Sequence, residues 1–159
     1  MATHQARLLA RRAAPPPSLP RSDVDDLVDA AEPLADVRAV VIGAGSVDVL
    51  CALLRRGCAA ATMLRPDLRA PTEVAELVVL SASDSAPGIG GLLRLARRRL
   101  QPDGRIVLRE RRVTRTRDLT SLLAAQGFTS VRCRVLHSGA VLSTTLPAVP
   151  VAPAPSAGG

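Results

Sequence analysis

Two glycines one residue apart, Gly43 and Gly45, stand where an apolar run ends and a helical pattern begins, with Ser46 next. Glycine at a strand-to-helix turn lets a ligand approach the backbone at the positive end of the helix, which suits a phosphate or a carboxylate. Elsewhere the residues that could do chemistry are sparse. Ser46 with Asp103 or Asp118 and then His137 follows the chain order of a hydrolytic triad. The Gly-x-Ser-x-Gly elbow fails, however, because Ala44-Gly45 precedes Ser46 and Val47-Asp48 follows it. Cys51, Cys58 and Cys133 show no Cys-x-x-Cys spacing, and two His with three scattered Cys make no metal set. Cys51 and Cys133 fall on apolar faces and are expected in the core; His137, beside a turn, is expected to be exposed. Asp25, Asp26 and Asp29 read as a solvated acidic face rather than as metal ligands. Asp84 could serve as a general base for a hydroxyl acceptor, or simply cap its own loop.

The elements that must position these residues follow from hydrophobic periodicity. Ser22 reads as an N-cap, followed by Asp23, Asp25 and Asp26 in a first turn where the helix dipole favours acids. Val24, Leu27, Val28 and Ala31 then share one face, and Pro33 ends the helix. Val37–Ile42 reads as a buried strand ending at the Gly43-x-Gly45 turn. Val47, Leu50, Cys51, Leu53 and Leu54 recur in helical phase up to Gly57. Ala59–Leu64 and Glu76–Leu80 are further buried strands. A Gly/Pro-rich loop, Ser81–Gly91, precedes an amphipathic helix over Leu92–Leu100, with Leu92, Leu93, Ala96 and Leu100 inward. The turn Pro102-Asp103-Gly104 leads into a strand over Arg105–Arg109. A helix over Asp118–Gln126 closes at Gly127. Val131, Cys133 and Val135 alternate with Arg132 and Arg134 in a half-exposed strand, and Ser138-Gly139 turns into a last strand, Val141–Leu146. Strand and helix alternating with short links predict a three-layer α/β domain, a mostly parallel sheet with a C-terminal antiparallel hairpin.

Composition bounds the rest. The 159 residues allow one domain with a real core, over residues 22–146. Residues 1–21 form an Arg/Pro-rich stretch without acids, and 147–159 an uncharged Ala/Pro/Gly stretch; both read as disordered tails. No apolar run reaches the roughly 20 residues of a membrane span, and none follows the basic N-terminus as a secretory signal requires. Free thiols and no leader predict a cytoplasmic protein. All 21 basic residues are Arg, and the formal charge is +7, but four of those arginines lie in the first tail. Phe128 is the only aromatic residue, so the chain lacks a platform for stacking bases. A small-molecule or protein partner is expected, rather than nucleic acid or a membrane.

Over Ser22 to Leu146 the chain resembles a class I S-adenosylmethionine-dependent methyltransferase. VVIGAG matches the family's first motif and ELVVLSAS its active-site strand. LLRLARRRLQPDGRIVLRE is similar to its helix, turn and fifth strand, and LTSLLAAQGFTSVRCRVL to its closing helix and Gly-Phe step. The resemblance implies a Rossmann-like sheet and S-adenosylmethionine as cofactor. Gly43, Ala44, Gly45 and Ser46 would lie along its methionine and ribose, and Ser81 and Ala82 where the methyl faces an acceptor. The family's ribose-binding acid is replaced by Arg65, with Asp67 two residues on. Only Pro66–Ala75 separates the second and fourth strands, so the family's third strand is expected to be missing. The Asp/Asn-Pro-Pro-aromatic motif of amine methylases is also absent, Ser81-Ala82-Ser83-Asp84 standing in its place. The stretch VVIGAGS with ALLRRG also resembles the first turn of flavin and nicotinamide oxidoreductases, although Asp48 occupies their third glycine position. Three readings therefore stay open: a minimal methyltransferase for a small acceptor, a non-catalytic binding or structural relative, and a degenerate flavin- or nicotinamide-binding domain.

Overall fold

The computed structural model describes residues 20–43, 45–64, 74–81 and 88–148. Helix α1 (Arg21–Ala31) buries Val24, Leu27, Val28 and Ala31, the stripe its periodicity predicts. Its N-cap is Pro20 rather than Ser22, and no side chain caps it; the Pro20 carbonyl receives the Asp23 N–H at 2.9 Å. Proline fixes the entry dihedral, which places Ser22 inside the first turn. Strand β1 (Arg38–Ile42) leads into α2 (Ser46–Arg55), then β2 (Ala60–Leu64) and β3 (Ala75–Leu80). Helix α3 (Gly88–Arg99), strand β4 (Leu100–Glu110), α4 (Thr116–Ala125), β5 (Thr129–Leu136) and β6 (Gly139–Thr145) complete the order.

The six strands form one sheet in the order β2-β1-β3-β4-β6-β5. The first four are parallel, and β6 inserts antiparallel between β4 and β5. No described strand lies beyond β2, and the expectation of a missing third strand falls on residues 65–73, which lie outside the described residues. Alternation along each strand divides the apolar residues between two layers. Ala39, Val41, Leu77, Val79, Val107 and Val141 meet α1 and α2. Ile42, Val78, Leu80, Ile106, Leu108 and Leu142 meet α3 and α4, with Phe128 closing that core.

Other expectations change as well. Strand β2 is only partly buried: Leu64 reaches the core, but Ala60, Thr62 and Met63 are exposed, because it stands at the edge of the described sheet. Helix α2 turns Val49, Ala52 and Leu53 inward, and leaves Val47 and Leu54 in solvent at 50% and 44% exposure. Both of its faces are apolar, so periodicity alone does not choose between them. Cys51 and Cys133 are exposed, while Cys58 is the buried thiol and donates to the Val37 carbonyl at 2.9 Å. Burial pushes the Cys58 thiol pKa upward, against the pull of backbone hydrogen bonds. Finally, β4 runs through Pro102-Asp103-Gly104, with Asp103 at φ 64° and a register shift against β3.

Candidate functional site at the carboxyl ends of the strands

Strands β1 and β3 lie side by side, Ile42 opposite Leu80, while their crossovers leave in opposite directions along the sheet. This is the topological switch point of an open α/β sheet, where a crevice opens beyond the strand ends. Gly43 has φ 114° and Gly45 φ 71°, backbone conformations that favour glycine. Gly45 caps α2 in the left-handed conformation and receives the Asp48 and Val49 N–H groups at 3.2 and 3.4 Å. The N–H groups of Ser46 and Val47 have no backbone acceptor among the described residues. They are donors at the positive end of a helix and suit a carboxylate.

The side chains around this turn are drawn inward. Ser46 is buried and its hydroxyl donates to the Gly43 carbonyl, which pins the turn. Ser81 is 1% exposed; its N–H reaches the Ile42 carbonyl at 2.9 Å and its hydroxyl donates to the same oxygen at 3.3 Å. Asp48, in the first turn of α2, is stabilised by the helix dipole and adds a negative charge near any bound anion. Of the residues expected to hold a cofactor, the fold thus brings Gly43, Gly45, Ser46 and Ser81 together. Ala44, Asp67 and Ala82 lie outside the described residues, as do Arg65 and Asp84.

Along the same edge of the sheet, about two strand spacings from Gly43, a cavity of about 730 Å³ opens between the start of α1, the end of β4 and the β5–β6 turn. Asp23, Asp26, Arg109, Arg111, His137 and Ser138 line it. Arg109 is 4% exposed and pairs through Nη1 with Asp23, while its Nη2 donates to the Ser138 hydroxyl at 2.7 Å. Sequence reading missed this group, since Asp23, Arg109 and Ser138 belong to three separate elements. The only local signal was a charge, Arg109, ending an apolar run. His137 is exposed, as expected. The Ser46 triad is not assembled: the Ser46 hydroxyl is engaged at Gly43, and Asp103, near the opposite end of β4, accepts from the Ala148 N–H at 3.1 Å. Asp29 bridges Arg56 at 2.8 Å on the surface of α1, and among the described residues no three His, Cys, Asp or Glu side chains gather as metal ligands.

No family model matches the chain, and no curated protein matches it either. Solved structures do. A ribosomal protein L11 methylase from Lactobacillus delbrueckii subsp. bulgaricus aligns with TM-score 0.64 and 10% identity, over 79% of this chain and 77% of that one. A precorrin-6y C5,15-methyltransferase from Geobacter metallireducens aligns with TM-score 0.61 and 14% identity, over 84% and 94%. An S-adenosylmethionine-dependent methyltransferase from Geobacter sulfurreducens, in complex with S-adenosyl-L-homocysteine, aligns with TM-score 0.52 and 19% identity, over 73% and 67%. At such identities the likeness is one of fold. The chain has the class I S-adenosylmethionine-dependent methyltransferase fold, without a described strand beyond β2.

Proposed function

We propose that this chain binds S-adenosylmethionine at the carboxyl ends of β1 and β3 and presents its methyl group to a small acceptor. The observation that carries the reading is the Gly43-x-Gly45 turn. Both glycines hold positive φ at the switch point, and helix α2 aims the Ser46 and Val47 N–H groups at the crevice. Those donors suit the methionyl carboxylate, and the glycine turn leaves room for the sugar to lie against backbone. When bound, the cofactor supplies a sulfonium methyl to a nucleophilic lone pair. The cavity beside Arg109 lies along the same edge and would seat the acceptor. The sheet order and Asp48 favour this reading over a flavin or nicotinamide site, since β6 intervenes antiparallel between β4 and β5 and Asp48 replaces the third glycine.

A second reading, a non-catalytic binding or structural relative, is favoured by a different observation. The hydroxyls of Ser46 and Ser81 both donate to backbone carbonyls, so neither is presented to a substrate. Photo-crosslinking with methyl-labelled S-adenosylmethionine, followed by peptide mapping, separates the two. Label in the tryptic peptide spanning residues 39–55, competed away by S-adenosylhomocysteine, is expected for a cofactor-binding domain. Label scattered over the chain and insensitive to competitor would contradict it.

A further inference from the structure

Strand β2 (Ala60–Leu64) carries no charged residue, and among the described residues only β1 pairs with it. Natural sheets protect such an edge with charge or proline, because its free N–H and C=O groups invite another strand. The opposite edge is protected in this way: β5 carries Arg132 and Arg134, both exposed. Above β2 on the α1–α2 face lies an apolar seam. Val47, Leu50 and Leu54 of α2 recur at intervals of three and four, the spacing of a helix that packs along another helix. Val47 is 50% exposed and Leu54 44%, and Met63 of β2 is 37% exposed on the same face. The charged side of α2 points elsewhere, since Asp48, Arg55 and Arg56 line a groove shared with Val24 and Asp25 of α1.

The occupant of this edge must offer a strand to β2 and an apolar helix to α2 at once. The chain's own β2 and α2 provide both, and since β2 and the stripe Val47, Leu50 and Leu54 carry no charge, two copies meet there without repulsion. We propose that the β2 edge is a two-fold interface with a second copy of this chain. The β2 strands pair antiparallel into a continuous twelve-stranded sheet, and the two α2 helices pack along Val47, Leu50 and Leu54. The spacing closes: strands about 4.8 Å apart, each with its helix set back over β1 and β2, bring the helix axes to about 10 Å, an ordinary packing distance. The second copy then stands beyond β2, where no described strand lies. A two-fold contact uses the same patch on both partners and is self-limiting, so it yields a dimer rather than a fibre.

Sedimentation equilibrium of the full chain tests this. The expected mass is twice 16.6 kDa. Leu54→Arg with Met63→Arg is expected to halve it without changing the far-ultraviolet circular dichroism, whereas Val135→Arg on the β5 edge leaves it unchanged. Hydrogen exchange on the unaltered protein gives a second readout: amides of residues 60–64 should lose protection on dilution. A mass of 16.6 kDa at the highest soluble concentration overturns the proposal. So does an association that survives the double substitution, or β2 protection that is independent of concentration.

Discussion

Arg109 and Asp23 form an ion pair with side chains only 3% and 8% exposed, and the Arg109 Nε has no acceptor among the described residues. Removing one partner of such a pair leaves an uncompensated charge in a poorly polarisable interior. Asp23→Ala is therefore expected to cost about 3–5 kcal/mol in urea unfolding, and Asp23→Leu with Arg109→Met to recover most of that loss. The surface pair Arg38–Glu76 behaves differently. Its 2.8 Å hydrogen bond from Arg38 holds the Glu76 carboxyl below the usual carboxylate value of 4.5. A depressed folded-state pKa contributes stability above the unfolded value, and that contribution is lost as the pH falls through the folded one. Because both side chains are substantially exposed, Glu76→Gln should lower stability by less than about 1 kcal/mol at neutral pH. In pH-dependent melts the difference should vanish in acid below the carboxylate range; a difference that grew there would contradict the pairing.

Elements were legible where one pattern dominated. The stripe Val24, Leu27, Val28, Ala31 and the runs of β1 and β3 leave one way to bury apolar surface. The reading failed where local pattern is degenerate. Helix α2 has two apolar faces, and only the sheet beneath it selects Val49, Ala52 and Leu53. Likewise Ala60–Leu64 is apolar enough for a central strand, and its place at the edge depends on what pairs beyond it. The hairpin into β6 depends on Gly139, at φ 135°, where an added Cβ would stand 2.3 Å from the Glu110 carbonyl oxygen. Backbone rather than a flexible side chain is the obstacle, so Gly139→Ala should cost about 2 kcal/mol or more and shift the β5–β6 register. Cross-strand amide pairs measured by nuclear magnetic resonance would reveal the shift; an unchanged stability and register would show the turn to be looser than this.

For the whole molecule, the fold order was readable because short links and alternating periods leave few topologies. The site was readable only in its backbone half. Gly43 and Gly45 announce themselves locally, whereas the Asp23–Arg109–Ser138 group converges from positions far apart in the chain and has no local signature. No helix among the described residues is long and apolar enough to cross a membrane. The most direct measurement is a thermal melt with and without saturating S-adenosylhomocysteine, on the unaltered chain and on Gly45→Asp. Ligand at about 100 times its dissociation constant adds about 2.7 kcal/mol, which in a domain of this size raises the midpoint by roughly 10 °C. Such a shift in the unaltered chain and none in Gly45→Asp is the predicted result. No shift in the unaltered chain at millimolar ligand would contradict the cofactor site and leave the non-catalytic reading.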